Sequence, residues 1–333
     1  MTATVLSVRN LRVAFRHGSA RAEVVRGLDL EVLAGETLAV VGESGCGKSI
    51  SALSLIGLLP ETAQIVAGRI ELLGRSLSGL PEREVRALRG DRISMVFQDP
   101  SAALNPTLTV GDHLIDAILA HRAVGRAAAR AEAATLLEQV RLPSSARMLD
   151  EYPHRLSGGM RQRVMIAMAI ANQPDVLIAD EPTTALDATV QHEILALLRD
   201  IQDRNRMAVV LITHDLGLVA RWADRVLVMY AGEGVEARSA SAIPHSLLHP
   251  YSRALVEARP LRRAERGRRQ ILRELAGAPP LPGEHGRGCS FAPRCPLVRE
   301  RCERESPQML VAADGHVACH AVAERGINAE QAT

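Results

Sequence analysis

An α/β fold with a parallel sheet at its core is predicted by three observations. Short apolar runs alternate with stretches of helical spacing over most of the chain. One run, Thr37-Leu38-Ala39-Val40-Val41, feeds a glycine-rich loop, Gly42-Glu43-Ser44-Gly45-Cys46-Gly47-Lys48-Ser49, which satisfies G-x-x-x-x-G-K-[ST]. Another, Val176-Leu177-Ile178-Ala179, ends in the acids Asp180-Glu181. Loop and acids together predict a phosphate-loop nucleotide-binding core.

The elements follow in order. Val5 to Val13 and Val24 to Val32 alternate apolar and polar residues and predict strands. The run 37–41 is short and wholly apolar, as a strand buried on both faces should be. A helix is expected from Lys48 to Leu59, closed by Pro60. Strands are expected at Gly68 to Gly74 and Arg92 to Phe97. From Thr109 to Val140 the chain turns Ala-, Leu- and Arg-rich with helical spacing, which reads as an inserted helical subdomain of about 99–156. Alternation resumes with helix Ser157 to Ala171, strand Asp175 to Ala179 and helix Thr189 to Arg204. Strands Ala208 to Thr213 and Arg225 to Tyr230 follow. Beyond Tyr230 the chain becomes rich in Gly, Ser, Pro and Arg, with a short helix near Ser252 to Glu257 and a loop marked by Pro279-Pro280, Pro282-Gly283 and Gly286. The expected division is therefore 1–236 and 237–333.

Composition narrows the function. Lys+Arg number 40 against 38 Asp+Glu, so no global field points to nucleic acid. The arginines between Arg259 and Arg273 read as a solvated helix face or linker. Aromatics are 2% of residues, leaving the core to Ala, Leu, Val and Ile. No run approaches the roughly 18 apolar residues of a membrane span. Met1 to Asn10 lacks a basic-then-apolar leader, so a cytosolic chain is expected.

The chemistry of the loop needs its residue order. Glycines let successive N–H groups face inward as a nest for phosphate oxygens, and the helix N-terminus adds positive dipole. Lys48 then reaches the outer phosphates and Ser49 offers its hydroxyl to Mg²⁺. Asp180, delivered by the end of a buried strand, suits the Mg²⁺ shell, and Glu181 beyond it suits a base for the attacking water. His214 follows a predicted strand at the edge where parallel sheets bind ligands. A second anion site, Leu156-Ser157-Gly158-Gly159-Met160-Arg161-Gln162, lies at a helix start. One chain seldom needs two such sites for one nucleotide, so this one is expected to serve ATP held by a partner subunit.

These pieces closely resemble the nucleotide-binding subunits of ABC transporters. The resemblance rests on the phosphate loop, Gln98 in Val96-Phe97-Gln98-Asp99-Pro100, the signature Leu156 to Gln162, Asp180-Glu181, Ala185-Leu186-Asp187 and His214, all in order. It spans about two-thirds of the chain. It implies a RecA-like sheet with an N-terminal antiparallel β part, and Phe15 stacked on adenine where Tyr is common. It places ATP against residues Gly42 to Ile50 and Gln98, and Mg²⁺ on Ser49, Gln98 and Asp180. Ser157, Gly158, Gly159 and Gln162 would touch the partner's ATP, with Asp187 in the adjoining loop. Glu181, His214 and Lys48 would be catalytic.

Finer features resemble the oligopeptide and dipeptide importers. These are Phe97-Gln98-Asp99-Pro100-Ser101-Ala102-Ala103-Leu104-Asn105-Pro106, His249-Pro250-Tyr251, and four cysteines near the C-terminus. One departure is Gly232-Glu233-Gly234-Val235-Glu236-Ala237, where such subunits close with an acid and then Gly. The resemblance implies a second homologous ATPase subunit, two permease subunits and an extracytoplasmic solute-binding protein. It also implies a peripheral place on the cytoplasmic face of a bacterial inner membrane. Nickel, glutathione or opine-like solutes are alternative cargoes, and a soluble non-transport ABC ATPase is an alternative function.

Cys289-x5-Cys295-x6-Cys302-x16-Cys319 lies in a segment with little apolar material, where a cross-link or metal commonly holds the shape. The spacings are wider than the usual C-x₂₋₄-C of structural zinc, and iron–sulfur sites take looser ones. Zinc, free thiols and disulfides stay open as alternatives. The family resemblance implies a four-iron, four-sulfur cluster here. His316 and His320 flank Cys319 and read as bystanders, while Cys46 reads as a small residue serving the loop through its N–H.

Overall fold

A computed structural model describes residues 3–17, 20–184, 186–243, 245–258, 275–312 and 314–324. The arginine cluster at 259–273 and Ala185 lie outside the described residues. The chain runs through β1 (Thr4–His17), β2 (Ala20–Leu33), β3 (Thr37–Val41), α1 (Lys48–Leu55), β4 (Ala63–Leu72) and β5 (Arg75–Ser76). Helix α2 (Glu82–Leu88) leads to β6 (Ile93–Val96). A helical stretch then holds α3 (Pro100–Ala103), α4 (Val110–Leu119), α5 (Arg126–Gln139) and α6 (Ser145–Met148). Next come α7 (Gly158–Ile170), β7 (Val176–Asp180), α8 (Ala188–Asn205), β8 (Ala208–Ile212), α9 (Leu216–Trp222), β9 (Arg225–Tyr230) and β10 (Glu233–Ser239). The last described stretch adds α10 (Pro250–Glu257), α11 (Glu300–Arg304), β11 (Leu310–Ala312), β12 (Gly315–Val317) and α12 (His320–Glu324).

Two sheets organise these elements. One is antiparallel, in order β2-β1-β4-β5, and the other runs β11-β12-β10-β9-β3-β8-β7-β6. Within the second, β9, β3, β8, β7 and β6 are parallel, while β10 pairs antiparallel with both β9 and β12.

Period-two alternation explains the apolar runs. Leu38 and Val40 of β3, Val176 and Ile178 of β7, and Val210 and Ile212 of β8 face the antiparallel sheet and α1. The alternate residues Leu177, Ala179, Val209 and Leu211 face α7, α8 and the helical subdomain. Both faces are covered, so every residue of these strands is buried. The helical subdomain starts cleanly because Thr109 and Asp112 form a reciprocal capping box at α4.

Strands β1 and β2 extend beyond the expected Val5 to Val13 and Val24 to Val32, and two further differences arise through glycine. Helix α1 stops at Leu55, well before Pro60. Gly57 takes a φ of 65°, its N–H bonds the Ser54 carbonyl, and Leu58 N–H reaches the Leu53 carbonyl. That is a Schellman closure, and it outranks the proline downstream. Gly68 does not start β4 but sits inside it opposite a bulge of β1 at Asn10 and Leu11, so close that a Cβ there would lie 2.5 Å from the Asn10 carbonyl. The departure near Gly232 resolves as a tight hairpin: Tyr230 pairs with Glu233 across Ala231 and Gly232, both at positive φ.

Gly57→Ala should lower stability by about 1–3 kcal/mol. The left-handed backbone disfavours a side chain, and the new Cβ would meet Val85 Cγ1 at 2.8 Å. A melting curve against the parent tests this, and an unchanged midpoint would contradict it.

Candidate nucleotide site

Four neighbouring strands end on one edge of the parallel sheet, and each delivers part of the site. Strand β3 runs into the phosphate loop and β6 into Gln98. Strand β7 ends at Asp180 and β8 leads to His214. Residues close together in space thus come from four distant stretches of sequence.

The loop is wedged against the rest of the fold. A Cβ on Gly42 would land on the Met229 carbonyl, and one on Gly47 would sit 2.8 Å from the Val24 carbonyl. Gly47 caps α1 at φ 101° without a side-chain bond, which leaves the first helical N–H groups open to a ligand. Lys48 is 6% exposed and donates to the carbonyls of Gly42 at 2.8 Å and Glu43 at 2.9 Å. Cys46 is buried too, and burial raises its thiol pKa despite the nearby Lys48. Its side chain packs in the core.

A cavity of about 470 Å³ opens above this loop. Its walls include Ser44, Gly45, Gly47, Lys48, Ser49, Ile50, Phe15, Gln98 and Glu181, all residues the sequence nominates. Val24 and Pro282 also line it, and the sequence offers no signal for either. Phe15 stands on β1 opposite Ala22 of β2.

Asp180 is 5% exposed at the end of β7. Burial lifts its carboxyl above the usual carboxylate range, and the Ser49 hydroxyl bonded to it works the other way. One oxygen, Oδ1, is buried without a hydrogen-bond partner among the described residues. An orphaned carboxylate oxygen beside a loop hydroxyl is a donor set that fits Mg²⁺. Asp180→Asn should raise the Mg²⁺ concentration needed for half-maximal ATP turnover about tenfold or more, because it removes the ligand charge. A magnesium titration of turnover checks it; an unshifted midpoint would be the contrary result.

Glu181 turns sharply off the strand with a φ of 46°. Its Oε2 accepts from Gln98 Nε2 at 3.2 Å and Thr184 Oγ1 at 2.8 Å, and lies 3.4 Å from His214 Nδ1. Gln98 and His214 are thus gathered on the one acid that the sequence nominates as base. Thr184 joins them without having been singled out.

The signature residues stand apart from this cavity. Ser157 caps α7, its hydroxyl accepting from Met160 N–H at 3.3 Å, and Ser157 and Gly158 are exposed. Gln162 is 2% exposed, and its Nε2 has no partner among the described residues. Asp187 caps α8 through the N–H groups of Thr189 and Val190.

The cysteines share one patch. Cys289, Cys295, Cys302 and Cys319 are free thiols, and each is close enough for its charge to affect the others. Burial raises the pKa of Cys289 to about 11 and pushes Cys295 and Cys319 in the same direction. Among the described residues, no group of three or more His, Cys, Asp or Glu is arranged to hold a metal ion. As placed, the thiols are not arranged as a metal site, and burial favours the protonated form of Cys289, Cys295 and Cys319. His320 is occupied with the Glu305 carbonyl at 2.9 Å.

Comparison with known proteins agrees with this geometry. Residues 25–184 match the ABC transporter family and residues 235–302 match the C-terminal region of oligopeptide/dipeptide transporters. The dipeptide transport ATP-binding protein DppD of Bacillus subtilis is 46% identical over 94% of this chain and 92% of its own length. DppD of Escherichia coli is 46% identical over 95% of this chain and 96% of its own. The oligopeptide transport ATP-binding protein OppD of Mycobacterium tuberculosis is 47% identical over 95% of this chain and 51% of its own. Among solved structures, a dimeric ATP-binding cassette in a post-hydrolysis state with ADP and Pi superposes with a TM-score of 0.63. It shares 28% identity over 71% of this chain and 98% of its own. This chain belongs to the ABC transporter ATP-binding proteins, in the branch of the dipeptide and oligopeptide transport subunits.

Proposed function

We propose that the chain hydrolyses ATP to drive uptake of di- and oligopeptides through a membrane permease. The observation that carries the ATPase is the convergence of Gln98, Thr184 and His214 on Glu181 beside the phosphate loop. Peptide cargo is supported by the match of residues 235–302 to the transporter C-terminal region and by the relatives' names.

The chain's residues divide the work. Backbone N–H groups of Ser44 to Ser49 cradle the phosphates, and the Lys48 ammonium neutralises the outer ones. Ser49, Asp180 and Gln98 are assigned to Mg²⁺, which when bound offsets charge on the phosphate oxygens. Water attacks the γ-phosphorus while Glu181 accepts its proton; with Oε2 engaged by its neighbours, Oε1 is the oxygen assigned to take it. The bond to the β-phosphate oxygen breaks, leaving ADP and phosphate. His214 is assigned to the γ-phosphate and Phe15 to the adenine face. The exposed Ser157 and Gly158, with the half-buried Gly159, are assigned to ATP on a second, homologous ATPase subunit. Gln162 is assigned to the same nucleotide, with its buried Nε2 lacking a partner among the described residues.

Partners in this reading are that ATPase, two permease subunits and an external solute-binding protein. The helical subdomain, about 99–156, would grip the permease, and the segment 237–333 forms the extension. No helix among the described residues is long and apolar enough to cross a membrane; the relatives' names support a peripheral subunit on the cytoplasmic face. An iron–sulfur cluster on the four cysteines is a separate proposal. It is supported by their shared patch and requires rearrangement of the thiols. Iron and sulfide in anaerobically purified protein would support it; four titratable thiols and no iron would overturn it.

The deciding test is reconstitution in vesicles with the permease and binding protein. ATP-dependent accumulation of a labelled dipeptide is expected. Turnover stimulated by nickel and not by peptide would replace the cargo; no stimulation by any solute would favour a soluble role.

A further inference from the structure

The match to the transporter C-terminal region does not say what His249-Pro250-Tyr251 and the cysteine segment do for the ATP site. The structure answers through one residue of the phosphate loop, Glu43.

His249 caps α10 by accepting Tyr251 N–H on Nδ1 at 3.1 Å, and Pro250 fills the first helical turn. His249 is 1% exposed, and its burial drops the imidazole pKa to about 3, so the ring is neutral and available as an acceptor. The buried Glu236 carboxylate fixes the approach to this cap by accepting the N–H groups of Leu248 at 2.7 Å and His249 at 3.0 Å. Tyr251 is thereby fully buried, packed on Tyr230 and Phe291. Its hydroxyl accepts the Glu43 N–H at 2.8 Å.

The same residue is held from a second direction. Arg294, next to Cys295, makes a bidentate pair with the Glu43 carboxylate at 2.7 and 2.9 Å, and its side chain is only 4% exposed. The guanidinium is aimed by the Ala276 carbonyl at 3.0 Å and the Tyr230 hydroxyl at 3.2 Å. The Glu43 carbonyl, in turn, accepts from Lys48. Amide, carboxylate and carbonyl of one loop residue are all engaged, two of the three by the extension.

We propose that Tyr251 and Arg294 are positioning residues for ATP hydrolysis, a clamp through which the extension sets the shape of the phosphate loop via Glu43. The clamp rests on the ATPase reading of that loop. Neither residue lines the cavity, so their action runs through Glu43 and Lys48.

The test compares Arg294→Met, Arg294→Lys, Tyr251→Phe and Glu43→Gln in the full chain assembled with its permease. Nucleotide affinity, turnover and melting are measured for each. Arg294→Met is expected to weaken ATP binding about tenfold while AMP, which lacks the outer phosphates, binds as before. Arg294→Lys should recover part of the loss, and Arg294→Met with Glu43→Gln should be no worse than either alone. Tyr251→Phe removes one oxygen and should weaken ATP binding about threefold, which decides the matter if Arg294→Met fails to fold. Unchanged ATP affinity in both Arg294→Met and Tyr251→Phe would overturn the clamp. So would equal losses for ATP and AMP, or additive effects of Arg294→Met and Glu43→Gln. Loss of all turnover in the parent chain itself would instead sink the ATPase reading.

Discussion

Glu181→Gln should lower the rate of phosphate release by about 10²- to 10⁴-fold while ATP binds as tightly as before. The two halves of this expectation come from different features. The amide keeps an oxygen for the Thr184 hydroxyl, which lies 2.8 Å from Oε2 in the parent, so the local geometry survives. What is lost is the basicity that takes the water's proton, and a loss of that size corresponds to about 3–5 kcal/mol in the barrier. Binding should be spared because, in the proposed assignment, the phosphates are held by loop N–H groups and Lys48 and not by an acid that would repel them. Phosphate release and equilibrium nucleotide binding, measured on the same preparation, separate these effects. Near-normal turnover would remove Glu181 as the base. A parallel loss of affinity would mean that the substitution disturbs the Gln98 and His214 neighbourhood instead. His214 is the milder site: its side chain is 67% exposed and 3.4 Å from the acid, so solvent can stand in for part of its role.

The parallel-sheet core and its phosphate loop were legible because their signals are local and doubly constrained. Strands β3, β7 and β8 are buried on both faces, so they read as apolar runs whose ends announce the loop and the acids. Boundaries set by backbone conformation were not legible. Gly57 and Gly68 look alike in sequence, yet one closes a helix in a left-handed turn and the other sits inside a strand opposite a bulge of its neighbour. Long-range contacts to the loop were invisible for another reason. Tyr251 and Arg294 lie 208 and 251 residues beyond Glu43, and no periodicity or motif links a tyrosine or arginine to a partner at that distance. Gln162 shows the limit within a motif. Its place in the signature suggests a ligand contact, and helical geometry puts it on the buried face of α7.

Lys48→Met should weaken ATP binding about 100-fold or more and abolish turnover at ordinary nucleotide concentrations. The ammonium stands 6% exposed at the start of α1, and hydrogen bonds to charged groups are worth about 1.5–3 kcal/mol each. Two such contacts to the outer phosphates account for a loss of that order. Methionine keeps most of the stem's packing volume, so the change isolates the charge. Removing the charge relieves its desolvation but leaves the Gly42 and Glu43 carbonyls without this donor, so stability should fall by about 1–3 kcal/mol. The competing effect is loop shape, because Lys48 also ties the Gly42 and Glu43 carbonyls together. Nucleotide length distinguishes the two. If the charge acts on the outer phosphates, affinity falls for ATP and ADP and stays constant for AMP. If the lysine works by folding the loop, the nest itself is disordered and all three nucleotides weaken together.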